Sequence, residues 1–485
     1  MIEIICNETL YTYNAYHVTK AFFPDAEICQ RVDEKQEPLI TVKIKEGSCF
    51  SITSESVKAG TADRQEQKRQ VTKRLYEYLC EQTGKELAWG MLTGVRPTKL
   101  VMQKLEVEMD EKAIVHFLQE EYCVSKKKAE LALAIAKREK KLLEQLRKDG
   151  FSLYVGIPFC PSICSYCSFS SSPIDVWKER MDEYLDALCK EISALGQMAG
   201  TRRPDTIYIG GGTPTSLSAK QLERLLSTIE QSFSLEQVLE YTVEAGRPDS
   251  ITKEKLEVIR RHPVTRISVN PQTMQQKTLD LVGRRHTVQD VKEIFRMARE
   301  MGFDNINMDL IAGLPGESAE DMRDTLRQIE ELEPDSLTVH ALAIKRAARL
   351  GQEVKSGLVR GQEESMHDQI AQMVESAAES AERMKLFPYY LYRQKNIAGN
   401  FENVGYAKVD KAGIYNILIM EEKQSIIAVG AGASTKIVLP EGKEIQDKKS
   451  GNLKNIVRIE NVKDVDAYIT RIDEMIERKG EWLWR

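Results

Sequence analysis

At 485 residues, with 42% hydrophobic and 29% charged side chains, the chain is long enough for about three domains and a large core that needs no disulfide staples. Its formal net charge of −5 gives no global attraction to nucleic acid or an anionic membrane, so any basic binding site must be local. The opening Met1-Ile-Glu-Ile-Ile-Cys6 lacks the basic stretch, apolar run and cleavage site of a secretory signal, and no segment approaches the length of a membrane span. A cytoplasmic location is expected. There, Cys6, Cys29, Cys49, Cys80, Cys123 and Cys189, scattered without metal-ligand spacing, read as buried or incidental thiols.

The first elements alternate. From Leu39 to Lys45, Ile40, Val42 and Ile44 face Thr41, Lys43 and Lys45 with the period of a half-buried strand, and Phe50 and Ile52 suggest its hairpin return. Val71, Leu75, Tyr78 and Leu79 recur at helical spacing within Arg64–Cys80, and a second, highly charged helical pattern runs from Ser125 to Arg147 before Asp149-Gly150 ends it. These predict an accessory α+β or helical region over 1–150.

The pattern then becomes regular. Strand-like Ser152–Gly156, Asp205–Gly210, Leu239–Glu244, Arg266–Asn270, Asn305–Ile311 and Asp335–Leu342 alternate with helical stretches, which implies a parallel sheet because parallel neighbours need crossovers. In such α/β sheets chemistry gathers at the carboxyl ends of the strands. The remainder predicts a helix over about Glu364–Leu386, short strands at Tyr389–Tyr392, Ile414–Met420 and Ser425–Val429, and a final helix over about Val465–Arg478. It reads as a second accessory domain.

Directly after the first core strand stands Tyr154-Val-Gly-Ile-Pro-Phe-Cys160-Pro-Ser-Ile-Cys164-Ser-Tyr-Cys167-Ser-Phe169. Three thiolates at this spacing can hold three corners of a [4Fe-4S] cubane and leave one iron open to chelate the amino and carboxylate groups of S-adenosylmethionine. Zinc would want a fourth ligand, and no His or Cys follows closely. At the second strand's end, Gly210-Gly211-Gly212-Thr213-Pro214-Thr215 would let backbone approach a ligand. Glu244, Gln272, Arg284 and Asp309 lie at or just beyond successive strand ends, where carboxylate, amide and guanidinium suit such a ligand or a structural role equally. His286 reads as structural. Gly313-Leu-Pro-Gly316 and Val429-Gly-Ala-Gly-Ala-Ser434 read as close backbone contacts, and Phe387-Pro-Tyr-Tyr-Leu-Tyr392-Arg393 as core or as a surface for a planar macrocycle.

With Ile209-Gly-Gly-Gly-Thr-Pro-Thr215, Arg266-Ile-Ser-Val-Asn-Pro-Gln272, Leu281-Val-Gly-Arg-Arg-His-Thr287, Asn307-Met-Asp-Leu-Ile-Ala-Gly-Leu-Pro315 and Arg393-Gln-Lys-Asn-Ile397 added to the cysteine loop, the chain resembles the radical-SAM family of oxygen-independent coproporphyrinogen dehydrogenases and heme chaperones. Leu92-Thr-Gly-Val-Arg-Pro97, Glu244-Ala-Gly-Arg-Pro-Asp249 and Tyr392–Tyr406 resemble its HemZ-type branch. The resemblance implies a partial (β/α)6 barrel over 151–345, with a C-terminal α+β accessory domain over 346–485. It implies Cys160, Cys164 and Cys167 as cluster ligands, and Tyr154, Tyr166, Gly211, Gly212, Thr213, Glu244, Gln272, Arg284, Asp309 and Ala341 around S-adenosylmethionine, Tyr154 being also the catalytic candidate.

It further implies oxidative decarboxylation of coproporphyrinogen III to protoporphyrinogen IX, with an electron donor such as flavodoxin or ferredoxin. A heme-binding chaperone, or a radical enzyme on another tetrapyrrole, is the alternative. Arg393 and Lys395 are candidates for substrate carboxylates. Well-studied dehydrogenases of the family carry histidine where this chain has Gly156 and a fourth cysteine where it has Phe169; the Phe pattern also occurs among the heme chaperones.

Overall fold

The computed structural model describes the chain except for residues 25, 45–47, 58–62, 95, 168–170, 343–362, 394–400, 447–452 and 484–485. Phe169 and Lys395 therefore lie outside the described residues. So does the expected boundary at 345/346. The rest forms two compact units, Met1–Arg138 with Leu391–Glu402, and Glu139–Tyr390 with Asn403–Arg485.

In the first unit, strands β1 (Ile2–Cys6), β2 (Ile28–Val32), β3 (Ile40–Ile44) and β4 (Ser48–Ile52) form a mixed sheet in the order β2-β1-β3-β4. The expected hairpin is present, with Ile40 opposite Ile52 and Val42 opposite Phe50. Helices Thr9–Phe22 and Arg64–Thr83 cover one face, and Ile4, Val18, Val42, Leu75 and Leu79 meet there without exposure. The second helix starts where Asp63 accepts from the Gln65 N–H and stops at Gly84, whose φ of +65° ends it in the left-handed region.

The second unit is built on strands β5 (Phe151–Ile157), β6 (Pro204–Gly211), β7 (Glu240–Gly246), β8 (Arg266–Val269), β9 (Ile306–Ala312) and β10 (Ser336–Ala341). They lie side by side in sequence order, each parallel to the next. These strands are buried almost throughout, and along them apolar Leu153, Ile207, Val243, Ile267, Met308 and Leu337 alternate with buried polar Ser152, Thr206, Thr242, Ser268, Asn307 and Thr338. Ser218 with Gln221, Thr287 with Asp290, and Ser318 with Asp321 form capping boxes that start three of the crossover helices.

Later segments extend this sheet at both edges. With β11 (Phe387–Arg393), β12 (Glu402–Ala407), β13 (Ile426–Val429), β14 (Ser434–Val438) and β15 (Ile456–Glu460), the full order is β11-β12-β10-β9-β8-β7-β6-β5-β13-β14-β15. β12 is antiparallel to β10, whereas β13 is parallel to β5. The glycine loop after β13 makes the expected close contact: a Cβ on Gly430 would lie 2.4 Å from the Gly156 carbonyl oxygen.

Two elements of the tail differ from expectation. Ile414–Glu421 is a helix, not a strand; its run of apolar residues carries no period that separates the two, and Glu422 at φ +53° ends it as a helix C-cap. The last helix is two, Val465–Thr470 and Ile472–Gly480, broken at Arg471. The aromatic stripe is mainly core, with Tyr389, Tyr390 and Leu391 buried.

Candidate functional site

The cysteine loop leaves the carboxyl end of β5 and is laced to the loop that leaves β6. Ile157 O accepts from the Gly212 N–H at 2.8 Å, and Phe159 O accepts from the Thr213 N–H at 2.7 Å and the Ser216 hydroxyl at 3.2 Å. This contact explains the glycine run, since a Cβ on Gly212 would stand 2.6 Å from the Phe159 carbonyl oxygen. Thr213 also donates its hydroxyl to Cys160 Sγ at 3.4 Å.

On its other side the loop is tied to Leu281–His286. Ser165 N–H donates to Val282 O at 3.1 Å and the Ser162 hydroxyl to Gly283 O at 3.0 Å. Arg284 is anchored there by Nη1 to Asn270 O at 2.7 Å, and its Nε donates to the Tyr166 hydroxyl oxygen at 3.3 Å. Tyr166 and Arg284 are thus brought together, and burial pushes the Tyr166 hydroxyl well above its ordinary value.

Cys164 is buried, while Cys160 and Cys167 are partly exposed, and the Cys167 N–H donates to Cys164 O at 3.0 Å. The sulfurs share one strand-end loop, yet among the described residues no three His, Cys, Asp or Glu side chains are drawn together as a ready metal cage.

Behind the loop, Tyr154 from β5, Tyr208 from β6 and Tyr415 lie nearly parallel, with ring centroids 6.4 Å (154 to 208), 6.0 Å (154 to 415) and 4.4 Å (208 to 415) apart. Glu244, at the end of β7, accepts the Tyr208 hydroxyl. Burial raises its carboxyl to about 7, and the neighbouring Asp309 adds to the rise. Asp309 accepts from Asn307 Nδ2 at 2.7 Å, and its backbone carbonyl accepts from the Gln272 N–H at 2.9 Å. Gln272 holds a φ of +69°, and its carbonyl accepts from the Ile311 N–H at 2.9 Å, so it crosses from β8 to β9. On β10 the Ala341 N–H donates to Asn403 Oδ1 at 2.8 Å. Ser268 Oγ and Asn270 Oδ1, buried at the end of β8, have no hydrogen-bond partner among the described residues.

Three participants were not legible as such. Tyr208 and Tyr415 complete the stack, and Arg247, 4% exposed, reaches Cys164. His286 is buried, with Nδ1 3.8 Å from Asp249 Oδ1, in keeping with a structural role. Arg393 is buried in the first unit, where its Nη1 donates to Leu92 O at 2.5 Å.

Gly156 has a physical reason as well. A Cβ there would lie 3.3 Å from Val429 O and 3.4 Å from the Tyr154 ring, and its carbonyl accepts the Tyr184 hydroxyl at 2.8 Å. A larger side chain would meet the Val429 carbonyl first and the Tyr154 ring next.

Comparison with known proteins gives the following. The family described as the Radical SAM superfamily matches residues 154–329. The oxygen-independent coproporphyrinogen-III oxidase-like protein HemZ of Bacillus subtilis (strain 168) is 40% identical over 406 residues, which are 83% of this chain and 78% of that protein. The heme chaperone HemW of the same organism is 39% identical over 197 residues, 40% of this chain and 51% of the relative. Among solved structures, the coproporphyrinogen III oxidase HemN of Escherichia coli, described as a radical SAM enzyme, superposes with a TM-score of 0.52 at 22% identity, over 69% of this chain and 72% of that one. At that identity the likeness concerns the fold, and the expected barrel architecture is borne out.

Proposed function

Because this chain belongs to the radical-SAM family of HemZ-like, HemN-like and HemW-like proteins, we propose that it decarboxylates two propionate side chains of coproporphyrinogen III to vinyl groups without oxygen, giving protoporphyrinogen IX. The family's cofactors are a [4Fe-4S] cluster and S-adenosylmethionine. The residues present fit them: an all-sulfur donor set on one strand-end loop, a glycine cradle with no room for a Cβ, and, at another strand end of the same sheet, buried oxygens on Ser268 and Asn270 without a partner among the described residues. When bound, the pair supplies a 5′-deoxyadenosyl radical able to take a hydrogen atom from a propionate β-carbon. Each propionate then loses CO₂ and one electron to an acceptor, which balances the new double bond.

In this reading Cys160, Cys164 and Cys167 hold the cluster. Gly211, Gly212 and Thr213 edge the methionyl end, and Tyr154 and Tyr166 wall the site, with Tyr154 nearest the chemistry. Glu244 meets the ligand's positive charge, while Gln272, Arg284, Asp309 and Ala341 serve its carboxylate, ribose and base. The electron comes from a donor such as flavodoxin or ferredoxin. Residues 1–150 and 346–485 act as accessory regions around a chemistry-bearing core at 151–345.

The observation that carries the proposal is the 40% identity with an oxidase-like relative across 83% of the chain. A second reading, a heme-binding chaperone, is favoured by the HemW relatives and by Phe169 in the sequence. Anaerobic incubation with reductant, S-adenosylmethionine and coproporphyrinogen III, followed by chromatography, separates them. Vinyl products with 5′-deoxyadenosine are expected. Their absence together with stoichiometric heme binding would establish the chaperone reading instead.

A further inference from the structure

Resting on the reading of Cys164 as a cluster ligand, we infer that Arg247 is a positioning residue that sets the cluster's reduction potential through its contact with the Cys164 sulfur. Arg247 follows β7 in the turn before Pro248 and folds back over 83 residues of sequence to reach that thiol. Its Nε and Nη2 are taken by Asp249, at 3.0 and 2.7 Å, a two-pronged pairing that fixes the guanidinium plane. The opposite edge is thereby aimed at the cysteine loop. Nη1 donates to Ser162 O at 2.8 Å and to Cys164 Sγ at 3.6 Å. Asp249 is backed in turn by His286 at 3.8 Å.

A second buried guanidinium, Arg284, is held against Tyr166 in the same loop, two residues from Cys164. Reduction adds one electron and no proton to the cluster, part of whose new charge resides on its sulfurs. A fixed cationic donor at one of them strengthens its bond in the reduced state, which moves the equilibrium toward reduction. A lysine at 247 would keep the charge but lose the fork that aims it. The contact with Ser162 O could alternatively hold the loop in shape and nothing more. The potential separates the two roles.

The test uses the full chain, reconstituted anaerobically with iron and sulfide. One-electron reduction by dithionite is followed by electron paramagnetic resonance without S-adenosylmethionine. Arg247→Gln and Arg247→Met are expected to keep about four irons per chain, as wild type does. Their reduction equilibrium should be about tenfold less favourable, a midpoint about 59 mV more negative for one electron. Arg247→Lys should recover part of that shift. Loss of iron in both neutral variants but not in the lysine variant counts against the role, because it marks a charge that holds the loop and not one that tunes the potential. Full iron at the wild-type potential in either neutral variant overturns it, as does loss of iron in all three. Wild-type protein that takes up no iron would instead overturn the cluster reading itself, a separate failure.

Discussion

The contact between the glycine run and the cysteine loop can be broken by one carbon atom. In Gly212→Ala the new Cβ would stand 2.6 Å from Phe159 O and 2.9 Å from that residue's backbone N and C, all of them backbone atoms with no rotamer to escape into. The two loops must part, and the bonds that hold them are the Gly212 N–H to Ile157 O at 2.8 Å and the Thr213 N–H to Phe159 O at 2.7 Å. At about 1 kcal/mol net for each hydrogen bond, plus about 1–3 kcal/mol for overpacking, the substitution costs about 3–5 kcal/mol at this junction. Most of that loss should appear as disorder of the cysteine loop, not as global unfolding, because the strands beneath keep their pairing. Iron uptake on anaerobic reconstitution and S-adenosylmethionine binding by calorimetry are the assays. Both should fall steeply, on the order of a hundredfold in affinity for a loss of about 3 kcal/mol. Gly94→Ala, where a Cβ would meet nothing within 4 Å, is the control. A Gly212→Ala protein that binds iron and cofactor as wild type does would refute the argument from sterics.

Three further outcomes follow from the interior. The Glu244 carboxyl lies above its ordinary value, at about 7, so the stability tied to its protonated form is complete below 4.5 and is lost as pH rises through 7. At about 1.4 kcal/mol per pH unit the ligand-free wild type should weaken relative to Glu244→Gln by up to about 3 kcal/mol between pH 5 and pH 8.5, less where water reaches the partly exposed group. Parallel thermal midpoints over that range would disprove it. Tyr208→Phe removes a hydroxyl that holds Glu244 down, so cofactor affinity should drop severalfold at pH 7 and recover at pH 8.5. Lys479 and Glu191, both unexposed, form a buried pair that also holds Asn461, Tyr468 and the Gly430 N–H. Lys479→Met should cost about 3–5 kcal/mol, read from denaturant midpoints, with partial recovery in the double variant Glu191→Gln/Lys479→Met.

The six central strands were legible because each is a short run that is set off from the next by a helical stretch, several of them with a capping box. The cysteine loop was legible because its ligands are neighbours in the chain. Ile414–Glu421 misled for the opposite reason: it is apolar nearly all round and too short for a helical period to declare itself. Arg247, Tyr208 and Tyr415 escaped notice because their meaning is non-local. Nothing in Gly246-Arg247-Pro248 tells that the guanidinium returns to a thiol 83 residues earlier, and Tyr415 joins Tyr154 and Tyr208 only after the tail has packed. Among the described residues no helix is long and apolar enough to cross a membrane.

Everything proposed for this chain depends on Cys160, Cys164 and Cys167 acting as one set of ligands, and metal analysis tests that most directly. Anaerobically reconstituted protein should hold about four irons and four sulfides per chain, and serine at any one of the three positions should abolish that content while Cys189→Ser leaves it unchanged. Wild-type protein without iron, or a full complement that survives loss of one of the three thiols, would contradict the account.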